Sequence, residues 1–529
     1  MKKKLAIIGA STGQLSLCRK AMEMNLETFC FAWSEGAICK DYVDHFIPIS
    51  IFNMDEIVQY CKEYQMDGVV SNASEATALV SSYVAEKLGK ICTPYQTILN
   101  IQNKEYVRKI TNGITGISKV NYTTGLVQDI LSTFTMPYVL KPIKGAAKKG
   151  VNFIDETYLR RVCLSEDLKD ATFIAEEYIE GQEYSIETIS YRNQHKIIQI
   201  TEKMGTGAPH FVELEHHQPA KLASSTFNKL NEIIPLILSS IGYINGAAHV
   251  EIKIDSQDNI YLIEVNPRGG GGEISSQLVQ LSTGYDYLKA MIEVSLGNFS
   301  FPKENMLNNY AGIYFLCKQT EMLLKNFNLL DYQPWLIEKK GSYHNLHQST
   351  SNRDRDGIII YQWDNKIVLN EENIRIKNLS KMPNKYELGN EFINKIKEES
   401  CRSAQHIPDN WLDKILRYAD ILTYHHDDDD ICGWFVLYCN DMQTLKAYCA
   451  GLHVLNKYRN KGIAHKLLQA AISICKLRRF KILSLYCNNP VAEKIYRKNG
   501  FKVINTQKVD KFGGELYSYL ELDLTMSNN

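Results

Sequence analysis

The stretch that decides the fold runs Ala247-Ala248-His249-Val250-Glu251-Ile252-Lys253-Ile254, then Asp255-Ser256-Gln257-Asp258-Asn259, then Ile260-Tyr261-Leu262-Ile263-Glu264-Val265-Asn266-Pro267-Arg268. The middle segment reads as a hairpin turn between two strands. Side chains two apart on a strand share a face, so Glu264, Asn266 and Arg268 point together, and Glu251 sits opposite them on the partner strand. Two carboxylates and an amide oxygen make a hard-oxygen set of the kind Mg²⁺ takes, with phosphate oxygens and water completing its shell. Taken alone, the hairpin reads more readily as a solvated strand pair with Glu beside Lys.

Upstream, Leu5 to Ile8 is a buried-strand pattern, Gly9 to Gly13 a turn, Gln14 to Asn25 a helix, and Thr28 to Ala32 a further strand. Strands alternating with helices predict a parallel α/β sheet. The turn carries GxxxG rather than GxGxxG, so a dinucleotide fingerprint is not met. From Thr93 to Gly297, strand patterns at Pro137–Pro142, Phe173–Glu177, Tyr184–Tyr191, Ala247–Ile254 and Tyr261–Asn266 predict an α+β nucleotide clamp. The expected domains are 1–92, an α/β lobe; 93–300, the clamp; 301–395, a small third lobe; and 396–529, a separate unit reached through the charged stretch Lys381 to Ser400. The run Asp427 to Asp430 reads as a solvated hairpin turn, because four successive residues cannot converge on one ion from a turn.

At 529 residues the chain is too long for one ordinary core, which permits more than one active site. Lys plus Arg equals Asp plus Glu, at 60 each. No charge field gathers nucleic acid or an anionic membrane, and small molecules are the expected partners, with self-association left open. Thirteen scattered cysteines without a CxxC pair, and an apolar run ending at Gly9, predict a reducing, cytoplasmic setting.

With the hairpin in view, the chain resembles the ATP-grasp superfamily, whose metal ligands follow the order Glu, Glu, Asn here met by Glu251, Glu264 and Asn266, with Arg268 next. Four further matches fall in the family's order and extend the resemblance over most of residues 1–390. By that resemblance, Lys104 and Lys141 reach the nucleotide phosphates as compact cations. Lys144-Gly145-Ala146-Ala147-Lys148-Lys149-Gly150-Val151 is similar to the family's glycine-rich loop over those phosphates, although many relatives have serine where Lys148 stands. In Ala175 to Glu183, the backbone around Glu176, Glu177 and Ile179 would read adenine, and Glu183 would accept from the ribose hydroxyls. His210-Phe211-Val212-Glu213 is similar to the stretch that lines the substrate pocket in the amino-acid ligase branch, which makes His210 and Glu213 substrate contacts. His210, His216 and His217 lack the spacing of helix-borne zinc ligands.

Arg268 leads into Gly269-Gly270-Gly271-Gly272-Glu273. A planar guanidinium suits a carboxylate or an acyl phosphate, and the glycines, Gly270 among them, would let substrate approach backbone N–H groups at the start of the next helix. ATP and Mg²⁺ or Mn²⁺ are the implied cofactors. The implied reaction joins a small-molecule carboxylate to an amine through an acyl phosphate.

A second constellation opens at Val454 and continues Leu455-Asn456-Lys457-Tyr458-Arg459-Asn460-Lys461-Gly462-Ile463-Ala464. The spacing Arg459-x-x-Gly462-x-Ala464 places small residues at a helix start, where unpaired N–H groups bind a pyrophosphate. Downstream come a strand, Asn488, Ala492, Tyr496 and a closing Gly500-Phe501. Together these resemble the GNAT acyltransferase family over residues 400–525. The resemblance implies acetyl-CoA or a related acyl-CoA held by Val454, Arg459, Asn460, Lys461, Gly462, Ile463, Ala464 and Asn488, with Tyr496 protonating the leaving thiolate. Ala464 replaces the more usual glycine. The expected protein is thus a bifunctional ligase and N-acyltransferase; a nucleotide- or CoA-sensing regulator on the same folds is the alternative.

Overall fold

Lys4–Ile8 (β1), Glu27–Phe31 (β2), His45–Ile47 (β3) and Gly68–Val70 (β4) pair in parallel in the order β3-β2-β1-β4. The strands β1, β2 and β4 are short and largely apolar because both faces of the sheet are covered there. The structure is a computed structural model and describes every residue except 1, 145–149, 156–170, 303–305, 400–409, 427–429, 510–513 and 526–529. Chain contacts divide it into two units, Met1–Phe315 with His347–Arg355, and Leu316–Leu346 with Asp356–Asn529.

In the first unit, Tyr122–Gly125 (β5), Tyr138–Pro142 (β6), Asn152–Ile154 (β7) and Phe173–Glu177 (β8) form an antiparallel sheet in the order β5-β8-β6-β7. Gln182–Tyr191 (β9), Gln194–Gly205 (β10), Glu213–Gln218 (β11), Gly246–Ile254 (β12), Ile260–Asn266 (β13) and Tyr310–Leu316 (β14) form a larger one, ordered β13-β12-β9-β10-β11-β14. Strand alternation divides its two faces. Ala248, Val250, Ile252 and Leu262 pack under Leu230, Ile234 and Ile237 of the helix Ser224–Ser240. The opposite face carries His249, Glu251 and Lys253 from β12, so one strand builds both core and site. The expected α/β lobe followed by an α+β clamp is the observed architecture.

In the second unit, Leu336–Gly341 (β15) and Gly357–Trp363 (β16) pair as antiparallel strands. Ile376–Asn378 (β17), Asp420–His425 (β18), Ile431–Tyr438 (β19), Lys446–Val454 (β20), Ile482–Cys487 (β21), Lys502–Val509 (β22) and Glu515–Asp523 (β23) form one sheet, ordered β17-β18-β19-β20-β21-β23-β22. Among the described residues its only parallel pair is β20 with β21, and that pairing runs from Lys446 opposite Ile482 to Tyr448 opposite Ser484. Both strands continue past it, β20 to Val454 and β21 to Cys487, so they part company at Cys449. Ala450 is the extra residue of a bulge facing β19, since Val436 pairs with Gly451 and Leu437 with Cys449. The helix Ile463–Leu477 follows β20 and packs on this sheet through a buried apolar stripe that includes Leu467, Leu468 and Ala471.

Candidate active sites

In the first unit a cavity is lined by Lys104, Lys141, Glu176, Glu177, Ile179, Glu183, Glu251 and Glu264. Lys104 opens the helix Lys104–Thr111, which Asn103 caps by accepting from the N–H groups of Glu105 and Tyr106. Its ammonium lies 3.1 Å from Glu264 Oε1. Burial opposes the charge on Lys104, but Glu264 and Glu75 outweigh it and raise the pKa. Lys141, on β6, stands 2.7 Å from Glu176 Oε2, and Arg108 Nε stands 2.7 Å from Glu176 Oε1. Burial alone would lift the Glu176 carboxyl; Lys141 and Arg108 override it and hold the group at about 2. The Glu176 side chain is therefore structural, locking Lys141 in place, while Asn121 donates twice to Glu177 at 2.8 Å.

Glu251 and Glu264 are direct cross-strand partners, as are His249 and Asn266. Glu251 Oε1 receives Lys203 Nζ at 2.9 Å and His249 Nε2 at 3.1 Å. His249 Nδ1 bonds Glu187 Oε1, and Glu187 Oε2 accepts the Gly270 N–H at 2.9 Å. The Gly270 N–H, expected to face substrate, is thus held by a buried carboxylate instead. A Cβ on Gly270 would fall 2.7 Å from Glu187 Oε1 and 2.8 Å from His249 Nδ1, which is why glycine stands there. Arg268 lies just past β13; its Nη1 donates to Gly269 O at 3.1 Å, and its buried Nε has no hydrogen-bond partner among the described residues. Asn266 is buried beside Glu264, Nδ2 to Oε2 3.5 Å.

Glu213 reaches this region through Lys203, and the Arg355 guanidinium donates to the Glu213 carbonyl at 3.2 Å. His210 is exposed, and neither it nor Lys144 lines the cavity. Gly145 lies outside the described residues, as do 146–149 of the same loop.

In the second unit, Gly462 caps the helix Ile463–Leu477 with φ +77°, a conformation that an added Cβ strains although open space surrounds it. The preceding turn brings Arg459, Asn460 and Lys461 to that helix start, and Arg459 Nε donates to Val454 O at 3.0 Å. Tyr496 lies on the helix Pro490–Lys498, whose first turn is capped by Asn489 Oδ1. It is only 5 % exposed. Its hydroxyl meets Cys449, where the two parallel strands separate, and lies near Cys487 at the end of β21. Burial, then those thiols, raise its pKa well above the ordinary phenol value, so the proton stays on. Asn488 donates to Glu515 at 3.0 Å. Residues 427–429 of the tetra-aspartate lie outside the described residues; Asp430 is held by Lys395 and Tyr458, both at 2.8 Å.

A model of the ATP-grasp domain family matches residues 134–277, and one of the acetyltransferase (GNAT) domain family matches residues 419–503. The chain carries an ATP-grasp domain and a GNAT acetyltransferase domain. Both belong to families of enzymes. The ATP-grasp part is 25 % identical, over 271 residues, to an alanine–anticapsin ligase of Bacillus amyloliquefaciens, covering 46 % of this chain and 56 % of that one. A D-alanine–D-alanine ligase of Petrotoga mobilis is 25 % identical over 161 residues, 28 % of this chain and 51 % of that protein. The chain spans about half the length of these curated relatives. Among solved structures, an L-amino acid ligase from Bacillus licheniformis superposes with TM-score 0.56 at 22 % identity, covering 69 % of this chain and 94 % of that one. An N5-carboxyaminoimidazole synthetase from Staphylococcus aureus complexed with ADP superposes with TM-score 0.54 at 21 % identity, covering 70 % and 95 %. At such identities the likeness is one of fold.

Within the ATP-grasp domain, sequence reasoning passed over Arg108, Lys203, Lys253 and the Glu187–His249 pair. Arg108 follows Lys104 by one helical turn, a spacing that puts both on one face. His249 and Lys253 flank Glu251 at two-residue spacing on β12, the periodicity already used for Glu264 and Asn266. Lys253 donates to Ile179 O at 2.9 Å and lies over the Tyr178 ring, buttressing the segment expected to read adenine. Glu75 joins the group from the amino-terminal lobe, its carboxyl pushed up to about 7 by burial and by the Glu264 carboxylate.

Proposed function

We propose that this protein is a bifunctional enzyme: an ATP- and Mg²⁺-dependent carboxylate–amine ligase acting on amino acids through an acyl phosphate, and a CoA-dependent N-acyltransferase. The observation that carries the ligase reading is the convergence of Lys104, Lys141, Glu251 and Glu264 on one cavity, with the Arg268 guanidinium just beyond. Lys104 and Lys141 supply cations for the nucleotide phosphates, each fixed by a carboxylate so that little reorganisation is needed. Glu251, Glu264 and Asn266 are an all-oxygen set on adjoining strands, and they fit a divalent ion that keeps several outer ligands. The chemistry such an ion supplies is neutralisation of charge on the phosphates.

The acceptor carboxylate attacks the γ-phosphorus, ADP leaves, and the amine then displaces phosphate from the acyl carbon. Arg268 stabilises negative charge on the carboxylate and on the acyl phosphate. This reading also accords with the amino-acid ligases among the relatives.

For the second unit, the parting of β20 from β21 opens strand edges that suit the amides of an acyl-CoA arm. The turn at Arg459 to Ala464 suits its pyrophosphate. Tyr496 would hand its proton to the thiolate as the amine takes the acyl group. The test is a screen of amino-acid pairs for ADP release, run beside a thiol assay with acetyl-CoA and amine acceptors. Release of ADP that needs both acid and amine, and of CoA that needs an amine, is expected. Absence of either across the full amino-acid set removes the corresponding half.

A further inference from the structure

Lys203 matches no motif, yet it is the most heavily ion-paired cation of the ATP-grasp domain among the described residues. Its ammonium lies 2.8 Å from Glu183 Oε1, 2.8 Å from Glu213 Oε1 and 2.9 Å from Glu251 Oε1, and its side chain is 2 % exposed. Four strands build the arrangement. On β10, Lys203 is paired with Glu183 of β9 and with His216 of β11, while Glu251 enters from β12. One oxygen from each carboxylate lies within 4.8 Å of the other two, a spacing that a divalent ion would accept.

A lysine ammonium is compact and carries three donors, so each N–H answers one carboxylate. Burial disfavours its charge, and the three carboxylates overcome this and raise its pKa far above the ordinary value. Without the lysine, three partly buried carboxylates would face one another with no ammonium between them, a state relieved by protonation or by a metal ion. The three also belong to different parts of the proposed reaction: Glu183 to the ribose, Glu251 to the metal, Glu213 to the acceptor pocket. Lys203 and His249 both engage Oε1 of Glu251.

We infer that Lys203 is a positioning residue, a built-in cation that occupies the centre of the Glu183–Glu213–Glu251 cluster where a divalent ion would otherwise bind, and that orients Glu251 by a single oxygen. The role of Glu251 as metal ligand rests on the ligase reading; the occupancy of the cluster does not.

The test uses the full chain without nucleotide, with Mn²⁺ as the probe read by electron paramagnetic resonance. Lys203→Met should bind Mn²⁺ at least about tenfold more tightly than wild type, because the emptied carboxylate cluster becomes an ion site. The same substitution made in a Glu213→Gln background, where one carboxylate fewer eases folding, should tighten Mn²⁺ binding at least about threefold over Glu213→Gln alone. A lysine that only packs would lower stability without creating an ion site, so unchanged Mn²⁺ affinity in both backgrounds overturns the inference. Once an acid–amine pair is in hand, Lys203→Met should also lower ligation by about 10- to 100-fold, the range for groups that orient a metal ligand. Failure of the ligase reading shows only in wild-type ADP release, so the two failures are distinguishable.

Discussion

The two candidate sites use opposite materials. In the ATP-grasp domain the working surface is dense in fixed charge: Lys104, Lys141, Arg108 and Lys203 interleave with Glu176, Glu183, Glu251 and Glu264, and most pairs lie within about 3 Å. In the GNAT domain the surroundings of Tyr496 are instead a bulged strand, the edges of two diverging strands and two thiols beside the buried phenol. The contrast accords with the two chemistries proposed above. Phosphoryl transfer concentrates negative charge that must be met by preorganised cations. Thioester aminolysis develops one leaving thiolate, so backbone hydrogen bonds and a single proton donor suffice.

This contrast predicts that charge-neutral substitutions damage the first site far more than the second. Glu264→Gln should lower ATP-dependent ligation by more than about 10³-fold while acyl transfer from acetyl-CoA continues unchanged, as read by ADP and thiol release on one preparation. Ligation by the variant within tenfold of wild type would remove Glu264 from the metal set.

Tyr496→Phe keeps the ring that packs 5.5 Å from Phe501 and removes the proton. Acyl transfer should fall by about 10² to 10⁴, with ligation and thermal midpoint nearly unchanged. A fall of less than about threefold would make Tyr496 a packing residue. By the proposed role of its guanidinium at the acyl group, Arg268→Met should slow ligation by about 10²-fold while calorimetric ATP affinity shifts by less than about threefold. Loss of ATP affinity with normal turnover at saturation would move Arg268 to the nucleotide.

The smallest expected effect is on stability. Glu176 drops from 4.5 to about 2 on folding. A depressed carboxyl pKa contributes stability that is fully present above the unfolded value and is lost as pH falls through the folded one. Its pairing should therefore contribute roughly 3 kcal/mol above about pH 4.5, fading between pH 4.5 and 2, and Glu176→Gln should flatten acid denaturation over that window. An unaltered profile would mean that the Lys141–Arg108 bracket does not form.

Legibility in the sequence also divides along this line. Strands at Phe173–Glu177 and Gly246–Ile254 fall within a residue of their expected positions, because each alternates or runs apolar between clear turns. Glu251 and Glu264 were legible as a pair because one hairpin carries both, and hairpin register is a local property. Lys203 was not, since its three partners come from β9, β11 and β12, a juxtaposition fixed by sheet order rather than by spacing along the chain. The use of the Gly270 N–H by Glu187 was hidden for the same reason, at a separation of 83 residues. In the GNAT domain, the helix start at Gly462 was local and legible, whereas the meeting of Tyr496 with Cys449 needed the strand order β20-β21.

The proposed acyl phosphate is open to a direct test by isotope transfer. An acid substrate found by the amino-acid screen would be labelled with ¹⁸O in its carboxylate and turned over with ATP and the amine. One carboxylate ¹⁸O is expected in the released inorganic phosphate, because the acceptor oxygen stays with phosphorus when the amine displaces it. Unlabelled phosphate, or label recovered in a nucleotide monophosphate, would contradict the acyl phosphate.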